Sequence, residues 1–317
     1  MASSQPKFLP DTAPTASAWL FPGQGAQEVG MGQDLWRQSS AARQVFETAD
    51  RVLGYSLSRV CFEGPAEKLK DTEHAQPAIF ATSLASLAAA VENGSIRERP
   101  SFMAGHSLGE YSALVAAGAM SLEQGLLLLQ ERALLMAQAG RELPGAMAAI
   151  LGMEEDKVRE ICSEADVDVC NLNLPTQTVI GGSPAGVARA VEIAKERGVR
   201  AMELNVSGAF HSRLMAPAVP GLIEAVGKAT IEAPVVPVVA NADAQPLLNA
   251  EAVRRELRAQ IAQPVRWHES VTLMAAAGVT AYIEFGPGKV LTGLARRLVP
   301  GATLVNVSGM TDVAAPA

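Results

Sequence analysis

A short glycine-flanked serine motif offers the clearest candidate for chemistry in this sequence. Residues Gly105–Glu110 read GHSLGE and contain the pattern G-x-S-x-G, which in many enzymes lifts a serine onto a sharp turn between a strand and a helix. Apolar residues precede the motif and a helical pattern follows it, so the context fits such a turn. A structural tight turn that contains a serine fits the same letters. The motif alone therefore leaves both interpretations open, with Ser107 as the candidate nucleophile.

A serine hydroxyl needs a base to take its proton, and the chain has four histidines. His106 adjoins Ser107 on the turn, so its side chain should point away from the hydroxyl. His74 lies in a loop near a helix start, and His268 begins a helix. His211 lies in SGAFHSRLM, where a small subdomain returns to the larger one, and such junctions form clefts. Elimination and position favour His211 as the base, although an ordinary junction histidine fits the same pattern.

The elements that must position these candidates follow a β-loop-α rhythm. Such a rhythm favours a parallel sheet covered by helices. Ser121 and Gln124 form a capping-box pattern at the start of one helix. The predicted helices span residues 33–53, 77–92, 108–117 and 121–138, and the predicted strands include Ala18–Phe21, Pro234–Asn241 and Ala281–Gly288.

The pattern changes between Gly145 and Asn205. There the segments AMAAILG, DVCNLN, QTVIGG and RAMELNV read as strands, and two amphipathic segments between them read as helices. The resulting order β-α-β-β-α-β is typical of a ferredoxin-like subdomain. We therefore predict an α/β fold with an α/β-hydrolase-like parallel-sheet domain, made of residues 18–143 and 209–317, and an inserted ferredoxin-like subdomain over 144–208. Residues 1–17 are polar and proline-containing, and we predict a flexible leader there.

Composition excludes several classes of function. The chain has 317 residues and a formal net charge of −7, which argues against a general nucleic-acid or membrane-surface binder. No apolar run approaches the length of a membrane span. Three cysteines form no CxxC pair and no metal-ligand spacing, and the N-terminus lacks the apolar core of a signal peptide. We therefore predict a cytoplasmic protein with no metal site.

Several motifs in one order resemble a known family. They are FPGQGAQ at 21–27, GHSLGE at 105–110, QERALLM at 130–136, GAFHS at 208–212 and FGPGKVLTGL at 285–294. Together they resemble the malonyl-CoA:acyl carrier protein transacylases, the stand-alone relatives of the acyltransferase domains of fatty acid and polyketide synthases. The resemblance runs from about Trp19 to Val307, and a set of motifs in order is far more specific than any single one.

The resemblance implies roles for residues around the serine. Ser107 would carry the acyl group, and His211 would act as its general base and then protonate the departing thiol. In this family a backbone carbonyl orients the histidine, and the matching carbonyl here is that of Gln260. The backbone N–H groups of Gln24 and Leu108 would form the oxyanion hole. Main-chain groups in these roles explain why no third acidic side chain stands out in the sequence.

The resemblance also implies residues that select the substrate. Arg132 matches the arginine that binds the malonyl carboxylate, and a guanidinium suits a planar carboxylate because it can donate two parallel hydrogen bonds. Phe210, in GAFHS, would fill the space that a 2-methyl group needs, as in malonyl-selective polyketide acyltransferases. Asn173 matches an asparagine near the histidine. Glu110 is expected to favour the helix N-terminus by its charge rather than to perform chemistry.

The implied function is transfer of a malonyl group from malonyl-CoA to the phosphopantetheine thiol of an acyl carrier protein, without a metal or redox cofactor. GAFHS, in place of the PSH-like motif of many housekeeping members, favours discrete acyltransferases that serve polyketide assembly lines over fatty acid synthesis. The main alternative is an acyl-thioester hydrolase of the same fold, but such relatives lack the arginine that matches Arg132. A noncatalytic carrier-protein binding module is a third possibility, and intact Ser107 and His211 count against it.

Overall fold

The computed structural model describes residues 6–313, so residues 1–5 of the predicted leader lie outside it. The first part of the chain contains two parallel strands and seven helices. In order these are β1 (Pro14–Phe21), α1 (Gln33–Gln38), α2 (Ser40–Leu53), α3 (Leu57–Glu63), α4 (Ala66–Lys70), α5 (Thr72–Asn93), β2 (Arg99–Gly105), α6 (Gly109–Ala116) and α7 (Leu122–Glu142).

The middle of the chain folds as β-α-β-β-α-β. Its elements are β3 (Ala146–Leu151), α8 (Glu155–Ala165), β4 (Asp168–Leu174), β5 (Gln177–Gly182), α9 (Pro184–Glu196) and β6 (Arg200–Glu203). The four strands form one antiparallel sheet in the order β4-β5-β3-β6, and one face carries its own apolar core with α8 and α9. All these elements fall within residues 144–208, whose separation as a subdomain stays a prediction.

The last part of the chain returns to the first sheet. Its elements are α10 (Val219–Lys228), β7 (Val238–Val239), β8 (Pro246–Leu247), α11 (Ala250–Ala259), α12 (Trp267–Ala276), β9 (Ala281–Phe285), α13 (Val290–Leu298), β10 (Thr303–Val307) and α14 (Met310–Val313), with 3₁₀ turns at Arg213–Ala218 and Gln260–Ala262. The six-stranded sheet has the order β10-β9-β1-β2-β7-β8, and only β8 runs antiparallel to its neighbour. The predicted fold class, a parallel-sheet α/β unit with a ferredoxin-like insertion, is confirmed.

The centre of the large sheet is buried on both faces, which explains its apolar sequence. Residues 18–21 of β1 are all inaccessible to solvent, and α5, which packs against this part of the molecule, has buried residues around its whole circumference. A helix that is apolar all round belongs in a core rather than at a surface. These elements form the rigid support from which the loops at the carboxyl ends of β1, β2 and β7 project.

Some predicted elements differ from the observed ones. β1 begins at Pro14, so residues 14–17 of the predicted leader belong to the sheet. The helix predicted over 33–53 is two helices, because Ser39 adopts an extended conformation and caps the second. The strand predicted over Pro234–Asn241 shrinks to β7, since prolines at 234 and 237 cannot donate to a sheet ladder. The helices α3 and α4 and the strand β10 were not predicted.

Candidate active site

The serine motif forms a strand-turn-helix elbow at the carboxyl end of β2. Ser107 has a φ of 53°, a left-handed conformation that is uncommon for a residue with a side chain. The glycines on either side are required by close packing. A Cβ on Gly105 would lie 1.9 Å from the carbonyl carbon of Gly109, and one on Gly109 would lie 2.1 Å from the carbonyl oxygen of Phe21. The left-handed conformation of Ser107 is therefore held by close backbone packing that only glycine at positions 105 and 109 allows.

The structure brings Ser107 and His211 into direct contact. The Ser107 Oγ lies 2.7 Å from the His211 Nε2. On the other side of the ring, Nδ1 lies 2.9 Å from the carbonyl oxygen of Gln260 and 3.1 Å from that of Gln263. Carbonyl oxygens only accept hydrogen bonds, so Nδ1 carries the proton and Nε2 is left to accept one from the serine. This is the tautomer that a general base needs.

The environment of His211 favours the neutral imidazole. Its side chain is almost completely buried. Burial, with a smaller contribution from the positive charge of Arg132, lowers the pKa of His211 to about 3, and the two carbonyl acceptors oppose the shift. The ring is therefore ready to accept a proton across the physiological pH range.

Arg132 of α7 reaches the nucleophile from the opposite side. Its Nη2 lies 3.0 Å from Ser107 Oγ and 2.9 Å from Oε1 of Gln260, and its Nη1 donates to Oε1 of Gln76 at 2.6 Å. The side chain is fully buried, and its guanidinium lies 5.5 Å from the centre of the Tyr111 ring. Both donors now contact amide oxygens, so an incoming carboxylate has to compete with Gln76 and Gln260 for the guanidinium.

The two predicted oxyanion donors lie beside the serine turn. Leu108 immediately precedes α6, and Gln24 follows β1 and contributes to the wall of the adjacent cavity. Neither backbone N–H donates to another group among residues 6–313. Unpaired N–H groups, one of them at the N-terminus of α6, suit the negative oxygen of a tetrahedral intermediate.

A cavity of about 660 Å³ opens onto the Ser–His pair. Phe210 contributes to its wall beside His211, while the mouth includes the charged side chains of Lys70, Glu73 and Arg141. The walls come from both sheets, so the cavity lies at their junction. Its volume suits a small-molecule ligand rather than a peptide surface.

The remaining predicted residue, Asn173, lies against a different histidine. Its Oδ1 is 2.9 Å from Nε2 of His106, whose ring packs near Trp267. His106 therefore points away from Ser107, as its place in the turn predicted, and Asn173 holds it there. Asn173 has no hydrogen bond with His211 and is absent from the cavity wall within residues 6–313.

Sequence reasoning missed a set of buried polar residues behind the reacting groups. Asn241, at the end of β7, accepts from the Ser107 backbone N–H at 2.7 Å and donates to the carbonyl of Gly105 at 2.7 Å. Glu110 is fully buried beside it, and burial together with the nearby Glu256 raises its pKa well above the ordinary value. Burial therefore disfavours the ionised form on which the expected interaction of Glu110 with the helix N-terminus depends. The one available signal was the polar residue that ends PVVPVVAN.

One group of possible metal ligands lies elsewhere. Glu155, His268 and Glu269 place one ligand atom each within 4.8 Å of one another. The carboxylates are already paired, Glu155 with Arg159 at 2.8 Å and Glu269 with Arg266 at 3.0 Å. None of the three lines the cavity at Ser107.

Taken together, the elbow, the Ser–His contact and the free N–H groups have the geometry of a serine acyl-transfer site. Comparison with known proteins agrees with this class. The family of acyl transferase domains matches residues 18–305. The chain therefore belongs to the acyl transferase domain family.

The relatives place it more closely. The malonyl CoA-acyl carrier protein transacylase of Bacillus subtilis is 45% identical over 287 residues, which cover 89% of this chain and 90% of the relative. The crystal structure of an acyl-carrier-protein S-malonyltransferase from Bartonella henselae has a TM-score of 0.90 at 41% identity, covering 94% of this chain and 97% of its own. The predicted resemblance to malonyl-CoA:acyl carrier protein transacylases is confirmed.

A third relative was solved with a partner. It is a malonyl-transacylase in complex with a type II PKS acyl-carrier protein, with a TM-score of 0.90 and 39% identity, covering 94% of this chain and 98% of its own. No helix within residues 6–313 is both long and apolar enough to cross a membrane.

Proposed function

We propose that this protein transfers a malonyl group from malonyl-CoA to the phosphopantetheine thiol of an acyl carrier protein, through a malonyl ester of Ser107. The observation that carries the proposal is the position of the Ser107 hydroxyl. It lies 2.7 Å from a neutral imidazole nitrogen and 3.0 Å from a buried guanidinium. The first can take the proton of the nucleophile, and the second can attract a substrate that carries a carboxylate.

The first half of the reaction loads the serine. Ser107 attacks the thioester carbonyl, its proton passes to Nε2 of His211, and the carbonyl oxygen becomes an oxyanion held by the N–H groups of Gln24 and Leu108. The C–S bond then breaks, and His211 returns the proton to the departing CoA thiolate. The charge on His211 exists only between these two transfers, because its surroundings disfavour the imidazolium.

The second half is the same sequence in reverse. His211 takes the proton of the carrier-protein thiol, the thiolate attacks the malonyl ester, and the serine oxygen leaves with that proton. Bonds and protons balance between two thioesters and one ester, so the exchange requires neither a metal nor a redox cofactor. Buried free thiols at positions 61, 162 and 170 fit a reducing compartment, and we assign the reaction to the cytoplasm.

The acyl group is selected by Arg132 and Phe210 in this proposal. Arg132 binds the 3-carboxylate of the malonyl group, displacing amide oxygens that contact it in the free enzyme. Phe210 narrows the cavity beside His211 and so disfavours a 2-methyl branch. The GAFHS motif supports polyketide synthesis as the pathway supplied, and the relative that binds a type II PKS carrier protein is consistent with it.

Intact-mass measurement tests the function directly. The protein is incubated with malonyl-CoA and, separately, with acetyl-CoA, and then with carrier proteins from both pathways. A malonyl adduct that passes to a carrier protein and is absent in Ser107→Ala is expected. Ser112→Ala is the matched control, since Ser112 is a buried serine of α6 whose hydroxyl has no hydrogen-bond partner among residues 6–313. Release of free malonate without an adduct or transfer would instead indicate a hydrolase.

A further inference from the structure

Two carboxyl groups lie buried together behind the candidate active site. Glu110 of α6 is fully inaccessible to solvent and Glu256 of α11 is 6% exposed. Their Oε1 atoms accept the same backbone N–H, that of Asn241, each at 3.0 Å. Two carboxylates this close together and buried from solvent cannot both ionise at low cost.

The charges around the two carboxyl groups indicate how many protons the pair holds. Burial raises the pKa of both groups, and the negative charge of Glu256 adds to the shift at Glu110. Arg132 is the cation that opposes the shift at Glu110, while Asp243 and Tyr111 are the other titratable groups that face the pair. One shared proton leaves a single negative charge opposite the single positive charge of Arg132.

Glu110 is connected to the reacting groups through the side chain of Gln260. The Gln260 Nε2 donates to Oε2 of Glu110 at 2.6 Å and to the backbone carbonyl of Ser107 at 2.8 Å. Its Oε1 accepts from Arg132 at 2.9 Å. Because its nitrogen has two acceptors and its oxygen has a donor, the orientation of the Gln260 amide is fixed. The backbone carbonyl of the same residue orients His211.

Asn241 connects the pair to the serine elbow. Its backbone N–H is the one shared by Glu110 and Glu256, and its side-chain amide bonds the Ser107 N–H and the Gly105 carbonyl, both at 2.7 Å. The left-handed conformation of Ser107 is thus held from behind by a residue that the carboxyl pair anchors.

We propose that Glu110 and Glu256 are positioning residues for the acyl transfer, sharing one proton and, through Gln260 and Asn241, aligning Ser107, His211 and Arg132. The inference rests on the proposed function, because the charge on the pair is set against the guanidinium that binds the malonyl carboxylate. Loss of the shared proton puts two negative charges behind Arg132 and weakens its attraction for that carboxylate. Malonyl loading therefore falls relative to acetyl loading as the pH rises.

Isosteric variants separate the two parts of this proposal. Both carboxylate oxygens of Glu110 accept hydrogen bonds, one from the Asn241 N–H and the other from Gln260 Nε2. In Glu110→Gln the amide NH₂ group replaces one of these oxygens and must face a donor, so the alignment is lost. In Glu256→Gln the amide oxygen can keep the Oε1 contacts, since no N–H or hydroxyl group of residues 6–313 donates to Oε2 of Glu256. This second variant therefore keeps the geometry and removes the shared titration.

The experiment measures kcat and KM for loading from malonyl-CoA and acetyl-CoA between about pH 6 and about pH 9. Glu110→Gln is expected to lower kcat for both substrates at least about tenfold, as misplacement of reacting groups does. In Glu256→Gln a single carboxyl group, Glu110, still titrates, so the malonyl-to-acetyl ratio should fall less with rising pH than it does in wild type. Glu284→Gln, a buried carboxyl that bonds the start of α13 instead, is the control and should retain both rate and pH dependence.

Each outcome decides a separate point. A wild-type protein that forms no malonyl adduct contradicts the proposed function, and the inference with it. Wild-type malonyl loading with Glu110→Gln and Glu256→Gln both indistinguishable from Glu284→Gln contradicts the inference alone. A selectivity ratio that changes identically with pH in wild type and Glu256→Gln also overturns it. Thermal unfolding of each variant shows whether a lost rate reflects a lost fold, and Glu256→Gln decides the question if Glu110→Gln does not fold.

Discussion

A single oxygen, the Ser107 Oγ, is contacted by both a base and a cation. The contact with His211 lets the serine lose its proton, and the contact with Arg132 favours the negative charge that results. Placing a guanidinium fully inside the protein is costly unless its donors are bonded, and here Gln76 and Gln260 supply acceptors for Nη1 and Nη2, while Nε has no partner among residues 6–313. Arginine, rather than lysine, suits this position because its planar fork can contact several acceptors at once.

Arg132→Lys tests whether this fork selects the acyl group. The ammonium keeps the charge but cannot donate two parallel bonds, so malonyl loading should fall by about ten- to hundredfold, equivalent to roughly 1.5–3 kcal/mol for a hydrogen bond to a charged group. Acetyl loading, measured by the same intact-mass assay, should change much less. The matched control is Arg141→Lys, an exposed arginine of the same helix that pairs with Glu73 at 2.9 Å. Equal losses for both acyl groups would refute a role in substrate selection.

The pH dependence of loading tests the protonation of His211. A base must be neutral, and the lowered pKa, about 3, means that His211 stays neutral well below the range where free histidine titrates. Acetyl loading should therefore stay level as pH falls from about 7 to about 5, whereas an ordinary histidine would give a decline below about 6.5. A decline near 6.5 that persists in His74→Gln, His106→Gln and His268→Gln would show that His211 titrates normally.

At the scale of residues, the sequence predicted those site residues whose chemistry requires a particular type of side chain. Ser107 stands in a motif with its own pattern, and His211 is one of four histidines, so both could be singled out as candidates. Asn241, Gln76 and the side chain of Gln260 could not, since amides occur throughout a chain and only the fold brings these three together. The surroundings of Glu110 could not be predicted either, because burial, which favours the neutral form of a carboxyl group, is a tertiary property.

At the scale of elements, the site depends on the close approach of β1, β2 and the start of α6. Gly109 touches the carbonyl of Phe21 so closely that the elbow and the end of β1 must move together. The Gln24 N–H and the Ser107 Oγ belong to these two neighbouring loops. Their spacing is therefore set by the sheet register, in which Phe21 pairs with Gly105.

Gly109→Ala tests this dependence on close packing. The new Cβ would lie 2.1 Å from backbone, which cannot move aside cheaply, so unfolding should become easier by at least about 1–3 kcal/mol and loading should fall. Gly227→Ala is the matched control in α10. Nothing lies within 4 Å of its added Cβ, and the free energy of unfolding should rise by up to about 1 kcal/mol. Urea denaturation of both variants measures the difference, and a neutral Gly109→Ala would contradict the packing argument.

Element prediction worked best where alternation or length was clear. The four strands of the antiparallel sheet were identified because their apolar residues alternate or run together between turn residues. The break at Ser39 was missed because a serine inside a helical pattern can either stay in the helix or cap a new one, and only the packing of α1 against α2 decides. Ser121 does cap α7, as predicted, but the Gln124 side chain accepts from the Thr230 N–H instead of completing the capping box.

At the scale of the whole molecule, the cavity exists only because two sheets meet. Two backbone hydrogen bonds join β4 to the segment that precedes α12. The Leu172 N–H donates to the Val265 carbonyl at 2.8 Å, and the Val265 N–H donates to the Cys170 carbonyl at 2.9 Å. Val265 lies two residues beyond Gln263, whose carbonyl contacts His211. The position of the histidine is thus coupled to the junction of the two sheets.

Thiol reactivity tests the integrity of this assembly. Cys61, Cys162 and Cys170 are 0%, 6% and 0% exposed, and burial raises the pKa of each thiol. The native protein should therefore react with a disulfide reagent much more slowly than the unfolded protein, in which all three thiols react. Ser163→Cys, which adds an exposed thiol next to Cys162, is the positive control. Rapid native reaction at Cys170, whose backbone carbonyl bonds Val265, would show that the junction opens readily.

The partner of His211 at Nδ1 is main chain, at positions 260 and 263. A point mutation replaces a side chain and leaves the backbone carbonyl oxygen in place, so it cannot delete the acceptor that orients His211. A scan that substitutes every residue would therefore identify no side chain that acts as the acceptor at Nδ1 of His211. An insertion or deletion between α11 and α12 would instead move the acceptor away from the ring. The length of this segment, rather than the identity of its residues, therefore maintains the orientation of the base.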